Sequence, residues 1–397
     1  GGATVATMDL EDQDVQEYYN GYANKTLWPL FHHRVDLTAY ERSFGEGYAR
    51  VNARFAETVL PLIEEEDFVW IHDYHLIPLA QELRRRGVKN RIGFFLHIPW
   101  PARHLITTLP RHPQLVEALF DYDLVGFQTQ DSLEAFKDYV VHEVGGSLGE
   151  GRTLSAFGRT AEFDAFPIGM DVAEFTAALD GETAKREYAR MQTSMLDRQM
   201  IIGVDRLDYS KGLEERFLAY EQFLQDNPDL HEKVFLLQIA TPSREDVEAY
   251  QEIRGRLDGV SGRINGAFST VDWVPIRYVN RGYRRDQLAG IYRAAKLGLV
   301  TPLRDGMNLV AKEYVAAQDP EDPGVLILSR FAGAAEQMGE ALIVNPFSRE
   351  DVSDAILRGL AMPLAERRRR WDRLMADLRT TDVSAWRDDF VRALMSN

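Results

Sequence analysis

The sequence predicts an α/β protein of two domains, each built on a mainly parallel sheet. Three observations carry that expectation. Short β-rich apolar runs alternate with helical patterns over most of the 397 residues, as in chained strand–helix–strand units. The strand candidates are apolar almost throughout, which fits sheets covered on both faces. The length exceeds what one ordinary core organises, and a stretch around 146–165, within "GGSLGEGRTLSAFGRTAEFD", is rich in Gly, Ser and Thr and weak in core residues. It reads as a break in the series.

Before the break, the strand candidates are "FVWIHD" (68–73), "RIGFFLHIP" (91–99) and "DLVGFQT" (123–129), with the helical pattern "LIPLAQELRRRG" between the first two. A fresh series begins at about 200 with "MIIGVDRL" (200–207), "KVFLLQIA" (233–240), "LGLVTPL" (297–303) and "GVLILS" (324–329), and "LEERFLAYEQFLQDN" is its first helix. The expected domains are 1–170 and 171–348, with a cleft between them. Residues 349–397 are expected as helices packing back onto the first domain. Four consecutive arginines, 367–370, read as a solvated helix face.

Lys plus Arg number 46 against 62 Asp plus Glu, a net charge of −16. That argues against a protein that coats nucleic acid, because phosphate neutralisation needs a basic face. No Cys is present, so disulfides, zinc–thiolate sites and Cys nucleophiles are excluded. No apolar run approaches the ~20 residues of a membrane span and no signal peptide is visible. A cytoplasmic protein without membrane or nucleic-acid partners is expected, and a homo-oligomer is left open. The chain opens on "GGATVATMDLEDQD" without a Met, so a processed or shortened product is expected.

The candidate site residues sit at strand ends, where open α/β sheets bind ligands. In "TPLRDGMNLVAKEYVAAQ" (301–318), Gly306 permits a sharp turn or a close approach. The helix starting near Leu309 presents unsatisfied amides and a positive dipole end that suit a diphosphate. Asp305 is placed to accept from sugar hydroxyls and Glu313 from ribose. An ordinary loop with an Asp cap and a Glu–Lys helix surface explains the same residues. In "VDRLDYSKG" (204–212), Arg206 and Lys211 are two cations suited to a leaving diphosphate. Salt bridges to Asp205 and Asp208 are the alternative. Metal-dependent sugar transferases often use Asp-x-Asp, but Asp121-Tyr122-Asp123 precedes its strand. Cationic side chains are therefore expected instead of a metal, and no cofactor.

In the first series, "WIHDYHLIP" sets His72, Asp73 and His75 at a strand-to-helix junction. Asp73 as a hydrogen-bond acceptor fits better than a metal site, which lacks further ligands. His97 ends the next strand. Tyr19 and Trp28, in the aromatic stretch 17–34, suit either sugar stacking or core packing. Arg244, in "ATPSREDVEAY", stands where a helix is expected to begin, with Ser243 and Asp246 as a capping pair.

Together "WIHDYHLIPLAQELR", "RIGFFLHIPWP", "DLVGFQT", "FPIGMD", "VDRLDYSKGLEERFLAYE", "SGRING" and "TPLRDGMNLVAKEYVAAQ" resemble the trehalose-6-phosphate synthases, retaining transferases of glycosyltransferase family 20, over practically the whole chain. The resemblance implies the GT-B fold: two Rossmann-like domains with parallel sheets facing across a cleft, the first binding the acceptor and the second the nucleotide sugar. It implies UDP-glucose as donor and glucose 6-phosphate as acceptor. By resemblance, Arg206 and Lys211 hold the diphosphate, Asp305 the donor glucose, and Glu313 the ribose. Gly306, Met307, Asn308, Leu309 and Val310 surround the diphosphate at the helix start, and Tyr283 and Leu288 lie near the base. His97 stands beside the transferred glucose. Tyr19, Trp28, Asp73 and Arg244 bind the acceptor, Arg244 at its phosphate, and Asp73, His97, Arg206, Lys211 and Asp305 form the catalytic set.

Members of the family begin with a strand, an arginine and a glycine-rich loop that are not found here, since Gly1 and Gly2 stand in another context. The chain is therefore expected to lack about 50–80 leading residues and to have an incomplete first domain. Related readings are a transferase using another nucleotide-glucose or phosphorylated acceptor, a nucleotide-sugar epimerase, or a catalytically silent relative.

Overall fold

The structure is a computed structural model and describes residues 4–244 and 247–396. Gly1, Gly2 and Asp246 lie outside the described residues, and with Asp246 so does half of the expected capping pair. The fold divides into two compact units. One takes in the described residues up to Pro167 together with those from Arg387 onward; the other is Ile168–Trp386.

The first unit holds a six-stranded sheet in the order β1-β2-β3-β6-β5-β4. Its strands are β1 (Val69–His72), β2 (Ile92–Phe95), β3 (Leu124–Phe127), β4 (Ser147–Leu148), β5 (Thr153–Ala156) and β6 (Arg159–Ala165). The first three are parallel to one another, and β6 lies parallel to β3. The stretch around 146–165 is thus no break but the far half of this sheet. β5 and β6 form an antiparallel hairpin around Phe157 and Gly158, both with positive φ (55° and 72°), the left-handed pair that a two-residue turn requires. Leu154, Ala156, Ala161 and Phe163 face inward and are buried; alternate residues make this core, so its composition looks polar.

The C-terminal segment is shared between the units, and does not pack as a whole onto the first. Helices Arg349–Ala361 and Leu364–Thr380 belong to the second unit, and the chain changes unit inside helix Val383–Met395. Phe390 then seats on the first sheet. A Cβ at Gly93 or Gly126 would lie 2.8 or 2.9 Å from its ring, so two glycines open the space it fills. Trp70 stacks on Phe390 at 4.5 Å and 6°.

The second unit holds six parallel strands in the order β12-β11-β10-β7-β8-β9. They are β7 (Gln199–Arg206), β8 (Val234–Thr241), β9 (Ile276–Val279), β10 (Leu297–Val300), β11 (Val325–Ser329) and β12 (Leu342–Val344). The chain runs outward from β7 to β9, returns to the centre at β10, and runs outward again. The switch point lies between β7 and β10. Met200, Ile202 and Val204 enter one core with Phe175, Ala289, Tyr314 and Trp371; Ile201 enters the other with Phe217, Leu257 and Ile356. Helices cover both faces, which is why these strands are apolar throughout. This unit starts at Ile168, three residues before the expected boundary at 171, and Met170, Val172 and Phe175 are buried in its core.

The four arginines are not a solvated face. Arg367 is buried and donates to Asp322 at 2.5 Å and to the Pro323 carbonyl at 2.6 Å. Arg368 pairs with Glu321 at 2.7 Å and Arg370 with Glu366 at 2.8 Å. Arg367 and Arg368 thus tie their helix to Asp322 and Glu321, Arg370 pairs within the helix and donates to the Glu340 carbonyl at 2.8 Å, and Arg369 is exposed. Among the described residues no helix is long and apolar enough to cross a membrane.

Candidate active site

In the second unit the site grows from the two strands flanking the switch point, the place where open α/β sheets leave a crevice. β7 ends at Arg206, which is exposed, and a turn over Tyr209–Lys211 follows. That turn closes on Gly212, with φ of 64°. A Cβ there would lie 2.5 Å from the Thr301 carbonyl oxygen, so glycine is what lets the β7 and β10 loops touch. The Leu303 amide donates to the Ser210 carbonyl at 2.8 Å. The loop after β10 is pinned on its other side by Gly333 N–H to Asp305 O (3.1 Å) and Ala334 N–H to Met307 O (2.8 Å).

This framing brings Lys211 and Asp305 together. The buried ammonium of Lys211 donates to Asp305 Oδ2, which also accepts from Asn308 Nδ2 at 3.0 Å. Asn308 is the N-cap of helix Leu309–Ala317. It has φ of 77°, and its side chain accepts from the Ala311 amide. The left-handed residue of the turn is thus Asn308, not Gly306, because its amide side chain satisfies the helix end from that conformation. The first-turn amides of Leu309 and Val310 have no carbonyl within the helix to donate to and remain for an anion. Glu313 lies one turn on, 3.4 Å from Arg285; burial pushes its carboxyl up from the usual range, against the pull of that guanidinium. Met307 is buried in the same core against which Tyr283, Leu288 and Val310 pack. All the expected donor-side residues therefore lie in this unit.

Of the alternative salt bridges to Asp205 and Asp208, the one from Lys211 is replaced by its pairing with Asp305. Asp205 is taken by Arg216, at 2.5 Å. Asp208 caps Ser210 N–H at 2.8 Å and accepts from Tyr250 Oη at 2.8 Å. Arg216 is a residue that sequence reading missed. It is buried in the second unit and also donates to Thr301 Oγ1 (2.9 Å) and Gln238 Oε1 (2.8 Å), tying β7, β8 and the β10 loop together. Its signal is visible: Leu213, Arg216, Phe217 and Tyr220 share one helical face, so a charge sits on an apolar stripe.

Arg244 does not stand at a helix start. The helix runs Glu248–Phe268, and Arg244 precedes it with φ of 49°. Its guanidinium donates to Tyr250 Oη at 2.5 Å and lies 3.7 Å from Asp208. The strained backbone turns the side chain back toward the Asp208–Tyr250 pair.

In the first unit Asp73 follows the end of β1, with φ of 75°. Its carboxylate accepts from the His97 amide at 3.2 Å, and its own amide donates to Phe95 O at 2.8 Å. His72 Nδ1 and His97 Nε2 share a hydrogen bond of 3.0 Å, so one ring must donate while the other accepts. His75 stacks on Tyr19 at 5.9 Å and 11°, and Tyr19 is exposed. Trp28 differs: it is buried, 4.1 Å from His32 and 5.7 Å from Tyr74. Asp121 and Asp123 bond Arg159 (3.0 Å) and Arg84 (2.9 Å). Among the described residues no group of three or more His, Asp or Glu is placed to hold a metal.

Burial, with His72 second, lowers His97 to about 4. An unfolded imidazole titrates near ~6.5. Between those values the unfolded chain binds the extra proton, so this group's contribution to stability falls as pH drops from about 6.5 to about 4 and changes no further below. An NMR titration should therefore find the His97 ring neutral at pH 6, with its midpoint near 4; a midpoint at 6.5 or above would contradict the burial.

Comparison with known proteins gives one family. The sequence model of glycosyltransferase family 20 matches residues 2–396. A trehalose-6-phosphate synthase of Sinorhizobium fredii is 50% identical over 398 residues, covering 100% of this chain and 86% of that protein. An α,α-trehalose-phosphate synthase (UDP-forming) from Burkholderia xenovorans, solved with glucose-6-phosphate, superimposes with a TM-score of 0.95 at 53% identity, covering 96% of this chain and 84% of that one. The Escherichia coli structure bound with UDP-2-fluoro glucose gives 0.95 at 47%, covering 97% and 85%.

Proposed function

The chain belongs to glycosyltransferase family 20, and from that premise we propose that it transfers glucose from UDP-glucose to glucose 6-phosphate, giving trehalose 6-phosphate and UDP. The observation that carries the reading is the Lys211–Asp305–Asn308 cluster at the switch point, set against the start of helix Leu309–Ala317. A cation and helix-start amides at a switch point suit the diphosphate of a nucleoside diphosphate. The acceptor reading draws on the glucose-6-phosphate complex of the Burkholderia relative and the donor reading on the UDP-2-fluoro glucose complex of the Escherichia relative.

In the proposed step the bond from the glucose anomeric carbon to the diphosphate oxygen breaks, and charge builds on the departing phosphate. Arg206, Lys211 and the dipole of helix Leu309–Ala317 stabilise that charge as it develops. The anomeric hydroxyl oxygen of glucose 6-phosphate bonds to the same carbon on the same face, so configuration is retained, and its proton passes to the leaving phosphate oxygen. Cationic side chains do the work here that a metal ion does in other sugar transferases. Asp305 receives donor hydroxyls, Glu313 the ribose, and Tyr283 and Leu288 the base. Tyr19, Trp28, Asp73 and Arg244 are assigned to the acceptor, with Arg244 at the phosphate, and His97 to the transferred sugar as a neutral ring. The chain is overall acidic, yet such local cations dominate the field at short range.

The test is UDP release from UDP-glucose with and without glucose 6-phosphate. Release should depend on the acceptor and be matched one to one by a phosphorylated disaccharide. Release of equal rate without acceptor, or none with it, would overturn the assignment.

A further inference from the structure

The first unit contains a cavity of about 480 Å³ that none of the residues assigned above lines, within the roughly 300–1,000 Å³ of small-molecule sites. We propose that it is a regulatory site for a small uncharged ring compound carrying an N–H or O–H donor. Three features define that ligand.

The first is the wall. Tyr22, from helix Val15–Leu27, and Tyr48, from helix Arg42–Val59, lie with ring centroids 4.4 Å apart, and Pro78, Leu109 and Leu115 extend the apolar lining. The second is an acceptor among the lining residues. Asn52 is fully buried, and its Nδ2 donates to the carbonyls of Tyr48 (3.0 Å) and His75 (3.1 Å). Two acceptors fix which end of the amide is nitrogen. Among the described residues Oδ1 has no hydrogen-bond partner, whereas buried polar atoms nearly always have one. The third is the rim, where charge balances. Arg42 pairs with Glu46 at 3.1 Å and Arg85 with Glu82 at 2.6 Å, while Arg111 stands against Glu41 in the count. No net charge invites an ion.

The same residues lead to the acceptor side chains. Asn52 holds the His75 carbonyl, and Tyr48 Oη donates to the Tyr74 carbonyl at 2.6 Å. Both carbonyls belong to the turn that follows Asp73. The His75 ring stacks on Tyr19, which shares its helix with Tyr22. An occupant that bonds Asn52 and fills the space against Tyr22 restrains that turn and that helix together. It should pre-organise the residues assigned to glucose 6-phosphate, and this coupling, unlike the binding itself, rests on the reaction proposed above.

Indole, which has one N–H, and 1-methylindole, which has none, are suitable probes. Calorimetric titration of the full chain with indole should give one site with a Kd on the order of 1 mM or tighter, and 1-methylindole should bind about fivefold more weakly. Gly45→Leu should abolish both. A Cβ at position 45 would meet only Tyr22, at 4.0 Å, so the larger side chain enters the cavity from a helix that tolerates it. Near-saturating indole should lower the KM for glucose 6-phosphate at least twofold, leave that for UDP-glucose unmoved, and do neither in Gly45→Leu.

Absence of indole binding at 5 mM (roughly five times the expected Kd), equal affinity for the two indoles, or binding undiminished in a folded Gly45→Leu would overturn the site. Binding without any change in the glucose 6-phosphate KM would overturn its regulatory role. If Gly45→Leu does not fold, as circular dichroism would show, the two indoles on the unaltered chain decide. If the chain releases no UDP with the acceptor, the reaction assignment fails, while the calorimetry still judges the cavity.

Discussion

Lys211→Ala is expected to lower turnover by roughly 100-fold or more, on the scale of a lost oxyanion donor, and to raise the KM for the nucleotide sugar. The ammonium is buried against Asp305 and supplies charge where the leaving diphosphate gains it. Removing it does more than delete a donor. Asp305 loses its ammonium partner, and its carboxylate then faces the incoming phosphates without that counter-charge. Lys211→Arg should recover little, because the Tyr209–Lys211 turn and Gly212 hold the position too tightly for a guanidinium. Arg206→Ala should lose a comparable factor. Turnover within threefold of the parent for Lys211→Ala, measured as acceptor-dependent UDP release, would refute the role.

Arg216→Leu is expected to destabilise the second unit by about 3–5 kcal/mol, the range for breaking a buried ion pair from one side. The guanidinium is 1% exposed and satisfies Asp205, Thr301 and Gln238 at once. Leucine supplies none of these bonds and strands the Asp205 carboxylate in the interior. Gly203 makes the geometry possible: a Cβ there would lie 2.3 Å from Gln238 Oε1 and 2.6 Å from Arg216 Nη1. The paired change Arg216→Leu with Asp205→Leu should restore part of the loss, since replacing both partners removes the orphaned charge. Urea unfolding reads both variants. A loss below about 1 kcal/mol for Arg216→Leu would show that the pair behaves as a surface one.

The sequence made the covered sheets easy to see and the half-covered ones hard. All seven strands inferred from apolar runs are present, because strands buried on both faces leave continuous apolar segments. The hairpin of β5 and β6 was passed over because only alternate residues are buried and its turn is glycine-rich. β9 and β12 are the edge strands of the second sheet, four and three residues long, and Ile343 is exposed. Helix Val15–Leu27 showed no clean periodicity for a geometric reason. Its cap bond runs from Trp28 N–H to Ala23 O, five residues back, so its side chains repeat at a pitch wider than the ~3.6 residues of an α-helix.

Site positions were legible wherever a strand end was, since α/β topology puts ligands there. Partnerships were not. Lys211 and Asp305 are 94 residues apart, and only the β7–β10 crossover makes them neighbours. Arg216 was within reach, as a charge on an apolar helix face, and the buried Asn52 was not, because its role depends on a turn 23 residues away.

The most direct measurement is a crystal structure of the chain soaked with UDP. Diphosphate oxygens within hydrogen-bond distance of Arg206, Lys211 and the amides of Leu309 and Val310, with the ribose at Glu313, are the expected result. UDP bound elsewhere, or at this place with Lys211 still closed on Asp305 and turned from the phosphates, would contradict it.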